Sequence, residues 1–114
     1  ALDVLIVGTL PTLNFGPKKL DYRIPIEAQL KDMHSPELEM VADMVDAHIE
    51  RTASEAGVKF LRKTELFHLT LPEDLFIQGK LTYSDSRHLS RFGASVFARR
   101  ITSQYKMILD NKQY

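Results

Sequence analysis

The sequence predicts an α/β fold, and we expect it to form the C-terminal half of a larger α/β domain. An apolar, β-branched run at residues 2–10 is typical of a strand buried on both faces. A helical segment and a second short apolar run at residues 58–61 follow it, which is the order of a right-handed βαβ unit. Two strands alone would leave sheet edges unpaired, so residues 1–114 are expected to be a portion of one domain.

The first strand is followed by a long loop. Gly8 and Pro11 end the strand, and Gly16, Pro17 and Pro25 punctuate the segment after it. Loops of this length are often functional. Since the chain enters its first strand almost at Ala1, we also expect it to be a piece of a longer protein.

The clearest predicted helix begins after Ser35, which can cap it, and ends near Gly57. Pro36 suits its first turn. The three- and four-residue spacing predicts one apolar stripe: Leu38, Val41, Val45, Ile49, Thr52 and Ala56. The acidic residues on or near the other side are predicted to form a solvated face: Asp43, Asp46 and Glu50.

The remaining elements are a small hairpin and a closing helix. Residues 75–82 suit a hairpin that turns at Gln78 and Gly79. The closing helix is predicted to present one apolar face, again by three- and four-residue spacing: Ala94, Phe97, Ile101, Tyr105 and Ile108.

Composition argues against several classes of function. Lys+Arg and Asp+Glu are equal at 15 each, which gives no electrostatic reason to expect nucleic acid or an anionic membrane as a partner. There is no cysteine for a disulfide, a thiolate nucleophile or a Cys-based zinc site. No apolar run approaches the roughly 20 residues of a membrane-spanning helix. The four histidines follow no ligand spacing, so neither a metal nor a cofactor is expected.

Asp85 and His88 are the candidate catalytic residues. A carboxylate on one ring nitrogen of a histidine fixes the tautomer and stabilises the imidazolium that forms when the other nitrogen accepts a proton. The pair precedes the closing helix, near the open end of the sheet, where α/β folds place their ligands. The structural alternative is that Asp85 only caps a turn and His88 lies half-exposed before the helix.

The segment "LTYSDSRHLSRFGASVFARRI" resembles the last block of the SGNH hydrolase family, in the form found in extracytoplasmic domains of membrane-bound acyltransferases that O-acetylate sugars. The opening "DVLIVGTLP" looks like the penultimate strand of the same family. The residues that match the last block are Tyr83, Asp85, His88, Leu89, Ser90, Gly93 and Ala94. The resemblance implies a flavodoxin-like three-layer α/β/α domain with a short parallel sheet.

The resemblance also implies an activity and a location. A serine would attack an acyl donor, His88 would take its proton, Asp85 would support the imidazolium, and an acyl-serine would pass its group to a carbohydrate hydroxyl. The family's Gly-Asp-Ser block is absent from residues 1–114, and Ser86 is too close to His88 along the chain to serve instead. We therefore expect the serine upstream of Ala1, no activity from this chain alone, and a periplasmic domain of a bacterial membrane protein that is itself soluble.

Phe15, Tyr22 and Arg87 are the candidate substrate-binding residues. The two aromatic rings lie in the long loop, where they could line a groove, although a packing role is equally open. Arg87 could contact an acidic glycan or only face water. The alternative function is a non-catalytic glycan- or protein-binding remnant of the same fold, and a third is a structural fragment. A homo-oligomer could cover the exposed sheet edge.

Overall fold

The computed structural model describes the backbone of residues 5–111 and the side-chain surroundings of residues 5–101. It contains two pairs of short strands and two long helices, joined by short helical segments. In chain order the strands and α-helices are β1 Leu5–Val7, α1 Leu30–Met33, α2 Pro36–Glu55, β2 Lys59–Leu61, α3 Lys63–Leu66, β3 Phe76–Ile77, β4 Lys80–Leu81 and α4 Arg91–Asn111.

The β1–α2–β2 segment confirms the coarse α/β prediction. β1 and β2 are parallel and in register, with Ile6 opposite Phe60. Beyond the strands, the N–H of Gly8 donates to the carbonyl of Leu61 at 2.8 Å and extends the pairing by one residue. Within the described part of the chain this sheet has two strands, so one edge of β1 has no strand partner. Pairing of that edge with a second copy stays a prediction.

Both predicted ends of α2 are confirmed. The hydroxyl of Ser35 accepts the N–H of Leu38 at 3.0 Å, and Pro36 occupies the first helical position. At the other end Gly57 has a φ of 70°. The N–H of Val58 donates to the carbonyl of Ala53, which closes the helix with the hydrogen bond of a Schellman motif.

The predicted orientation of α2 is wrong in part, at Asp46, Val41 and Val45. Asp46 is 1 % exposed rather than solvated, and its carboxylate accepts both the N–H and the hydroxyl of Thr9, at 3.0 and 3.1 Å. Val41 and Val45, predicted to be buried, are 54 % and 44 % exposed. The helix turns its Asp46 side to the end of β1 because the two polar groups of Thr9 satisfy the buried carboxylate.

The prediction that β1 is buried on both faces is also wrong. Leu5 and Val7 are 44 % and 43 % exposed. They lie on the same sheet face as Leu61, which packs against the cluster around Phe97 of α4. That cluster covers this face of β2 but not of β1, so Leu5 and Val7 stay exposed.

The hairpin and the helix that follows it are as predicted in position. Gln78 and Gly79 connect β3 to β4 with φ values of 52° and 78°, the signs of a type I′ turn. In α4, Phe97 is fully buried and stacks on Phe67 with ring centroids 5.3 Å apart. Ala94, predicted to be buried, is exposed. The side chains of Tyr105 and Ile108 lie outside the described residues.

The long loop after β1 has more local structure than its composition indicates. It contains 3-10 turns at Pro17–Lys19 and Ile26–Ala28, followed by α1. Its apolar side chains form most of a core cluster that also includes two residues from the hairpin region. The buried members are Leu13, Leu20, Met33, Leu75 and Tyr83. The loop is thereby packed against the segment that carries Asp85 and His88.

Candidate functional site

Asp85 and His88 lie in a tight turn between β4 and α4. Backbone pairing closes this turn on both sides. The N–H of Ser84 donates to the carbonyl of His88, and the N–H of Ser90 donates to the carbonyl of Thr82, both at 2.8 Å. Tyr83 and Leu89 form an antiparallel bridge between these bonds. The candidate pair therefore lies at the tip of a short, closed backbone ladder.

The Asp85 carboxylate organises the tip of the turn. Its Oδ1 accepts the N–H groups of Arg87 and His88, each at 2.7 Å. Its Oδ2 lies 2.9 Å from Nδ1 of the His88 ring. The predicted contact between the two side chains is present, and so is the turn cap that formed the structural alternative. The catalytic role of the pair stays a prediction.

These contacts keep Asp85 ionised. The N–H of Arg87, the ring of His88 and the N–H of His88 lower the pKa of the Asp85 carboxyl from 3.8 to about 2. An ionised carboxylate can only accept hydrogen bonds, so Nδ1 of His88 carries the hydrogen in their contact. In the neutral ring, Nε2 then holds the free lone pair and can accept a proton.

The outer side of the His88 ring is open. The His88 side chain is 75 % exposed, and within the described part of the chain no group hydrogen-bonds its Nε2. The nearby serine hydroxyls serve the backbone: Ser84 donates to the carbonyls of His88 and Leu89, and Ser90 donates to Leu81. None of the described serines forms a hydrogen bond with the ring of His88.

The turn is held against the loop that follows β1. The buried hydroxyl of Tyr83 donates to the carbonyl of Pro11 at 2.9 Å, and burial, with the charge of Glu39, raises the pKa of Tyr83. The N–H of Leu13 donates to the carbonyl of Ser86 at 2.8 Å. A Cβ on Gly16 would lie 2.8 Å from the Cα of Asp85, so this close approach requires glycine.

An open cleft of about 220 Å³ adjoins the pair on this side. It separates the 3-10 turn at Pro17–Lys19 from the tip of the Asp85 turn. Its walls are Gly16, Pro17, Lys18, Lys19, Ser84, Asp85 and Ser86. The two lysines are not among the residues predicted from the sequence, although "GPKK" combines a turn signal with two adjacent cations in the long loop after β1.

The three predicted substrate-binding residues have different surroundings. Phe15 is partly buried against the core cluster that contains Tyr83, so its ring packs. Tyr22 is 68 % exposed, and its hydroxyl donates to the carbonyl of Pro17 beside the cleft. Arg87 is exposed, and its N–H is held by Asp85. Of the three, Tyr22 and Arg87 have side chains exposed near the pair or the cleft.

The described residues contain neither a metal-binding cluster nor a helix able to span a membrane. No group of three or more His, Asp or Glu side chains there is arranged to hold a metal ion. None of the helices in the described range combines the length and apolar character that crossing a membrane requires.

Comparisons with known proteins found no match among protein-family models, curated proteins or solved structures.

Proposed function

We propose that Asp85 and His88 are two members of a Ser-His-Asp triad in an SGNH-type acyltransferase or esterase domain with a flavodoxin-like three-layer fold. The serine comes from outside residues 1–114. The reaction moves an acetyl or other acyl group to or from a hydroxyl of a cell-surface carbohydrate through an acyl-serine. The observation that carries the proposal is the 2.9 Å contact between Oδ2 of Asp85 and Nδ1 of His88.

That contact gives each residue a role. Nε2 of His88 takes the serine proton as the oxygen attacks the acyl carbonyl, and the ionised Asp85 stabilises the imidazolium. The same Nε2–H then protonates the leaving group of the acyl donor. In the second half of the reaction His88 takes the proton of the accepting hydroxyl and returns it to the serine. The two backbone N–H groups on Oδ1 hold the carboxylate in place throughout.

The exposure of the pair supports a nucleophile from elsewhere. Electrostatic stabilisation of an imidazolium is strong only where water is excluded. Here the side chains of His88 and Asp85 are 75 % and 57 % exposed. A segment that brings the serine to Nε2 would also cover this surface. The uncovered β1 edge and the exposed Val41 and Val45 fit the same arrangement, because a further strand and helix would bury them.

The test uses the complete gene product that contains residues 1–114. Hydrolysis of p-nitrophenyl acetate reports acyl transfer, and labelling by a fluorophosphonate reports the activated serine. We expect His88→Ala to lower kcat/KM by roughly a thousandfold or more, and Asp85→Asn by up to about ten-thousandfold.

Two control variants test whether the effect is specific to Asp85 and His88. His48 is an exposed histidine on α2, and His48→Ala should leave the rate unchanged. Ser86→Ala should still be labelled by the fluorophosphonate, because the Ser86 hydroxyl does not bind the His88 ring. Equal rates for His88→Ala and wild type would refute the triad. Active wild type with an inactive Ser86→Ala would place the nucleophile inside the turn.

A further inference from the structure

We propose that the cleft between Lys18, Lys19 and the Asp85 turn binds a carboxylate group of the carbohydrate substrate, so that the substrate is an acidic sugar. This inference rests on the proposed function for the identity of the substrate. The inference that an anion binds depends only on the residues that line the cleft.

The charges that surround the cleft favour an anion. Lys18 and Lys19 line it and are exposed, and within residues 5–101 neither forms an ion pair with a carboxylate. The Arg87 side chain, next to the cleft wall in sequence, has no ion pair in the same range. Asp85 is the acidic residue of the wall, and its charge is already stabilised by two N–H groups and the His88 ring.

The cleft is also held in shape. The N–H of Lys19 donates to the carbonyl of Gly16, and Tyr22 donates to the carbonyl of Pro17, both at 3.1 Å. Across the cleft, Ser86 is fixed by the N–H of Leu13. The ammonium groups are therefore presented from a 3-10 turn with a fixed backbone, which lowers the entropy lost on binding.

The size of the cleft indicates one group of a larger molecule. Sites that enclose a whole small ligand have volumes of about 300–1,000 Å³. At about 220 Å³ and open to solvent, this cleft can hold a single sugar unit or its charged substituent while the rest of a polymer extends away. The Ser84 and Ser86 hydroxyl oxygens in the wall can accept hydrogen bonds from sugar hydroxyls.

The experiment measures binding without turnover. The ¹⁵N-labelled 114-residue chain is titrated with trigalacturonate, maltotriose and inorganic phosphate, and amide shifts are followed by NMR. We expect trigalacturonate to shift amides at residues 16–19 and 84–86, and maltotriose to shift them much less. Higher ionic strength should weaken the response. Phosphate binding without trigalacturonate binding would overturn the assignment to a carbohydrate.

A charge-matched pair of variants tests the lysines. Lys18→Gln with Lys19→Gln should weaken trigalacturonate binding roughly three- to thirtyfold, the effect of two surface charge pairs. Lys31→Gln with Lys59→Gln removes two exposed cations that do not line the cleft, and it should leave binding unchanged. Equal affinities for both double variants, or shifts outside the cleft, would overturn the proposal.

Esterase rates and trigalacturonate binding distinguish failure of the catalytic proposal from failure of this one. His88→Ala should still bind trigalacturonate, with amide shifts at residues 16–19, because His88 does not line the cleft. An unchanged esterase rate in His88→Ala would refute the triad and leave this binding result standing. Absence of trigalacturonate binding alongside a fully His88-dependent esterase would refute the acidic-sugar assignment alone.

Discussion

Gly93→Ala tests whether the start of α4 holds the turn that carries Asp85 and His88 in place. A Cβ at Gly93 would lie 2.1 Å from the carbonyl oxygen of Thr82, about 1.3 Å short of ordinary contact. Thr82 is fully buried and cannot easily move away. Its N–H donates to the carbonyl of Leu75 at 2.9 Å, and its hydroxyl donates to the carbonyl of Asp74 at 2.7 Å.

The expected cost follows from these contacts. Overpacking of this kind costs about 1–3 kcal/mol of unfolding free energy. If α4 moved about 1.3 Å away from Thr82, the 2.8 Å hydrogen bond from the N–H of Ser90 to the carbonyl of Thr82 would also break. Such a hydrogen bond contributes about 1 kcal/mol to the free energy of unfolding. Alanine regains about 1 kcal/mol over glycine through helix propensity. The net expected loss is about 1–3 kcal/mol.

Urea unfolding followed by circular dichroism measures this loss as a lower midpoint at an unchanged slope. Ser95→Ala, at an exposed position of the same helix, is the control and should change stability by less than about 0.5 kcal/mol. A midpoint for Gly93→Ala at or above that of wild type would refute the close contact between α4 and Thr82.

Two further predictions concern the hydrogen bond from Tyr83 to Pro11 and the charge of Asp85. Tyr83→Phe should lower stability by about 1–3 kcal/mol, because it leaves the Pro11 carbonyl unsatisfied, whereas Tyr22→Phe at an exposed hydroxyl should have little effect. Equal losses would contradict this role for Tyr83. The Asp85 carboxyl should titrate near pH 2 in a ¹³C NMR experiment. Because its pKa is lowered from 3.8, its stabilising contribution is present above about pH 4 and is lost as pH falls towards 2. A midpoint near 3.8 would show that the turn contacts are absent in solution.

Local sequence signals correctly predicted the elements whose hydrogen bonds are local. Ser35 and Gly57 mark the ends of α2 because a cap and a Schellman motif involve neighbouring residues. Gln78 and Gly79 mark the hairpin for the same reason. The contact between Asp85 and His88 spans three residues, so the sequence could also predict it. Its catalytic use and the family resemblance that suggested it stay predictions.

The tertiary structure decided which faces are buried. Periodicity identified an amphipathic α2 but not its orientation, because the bonds from Thr9 to Asp46 join residues 37 positions apart. The exposure of β1 likewise depends on how far the cluster around Phe97 extends across the sheet. The cleft forms only because the loop at Gly16 and the turn at Asp85, 69 residues apart, come into contact. Capping and turn chemistry are encoded locally, whereas burial and clefts depend on distant segments that pack together.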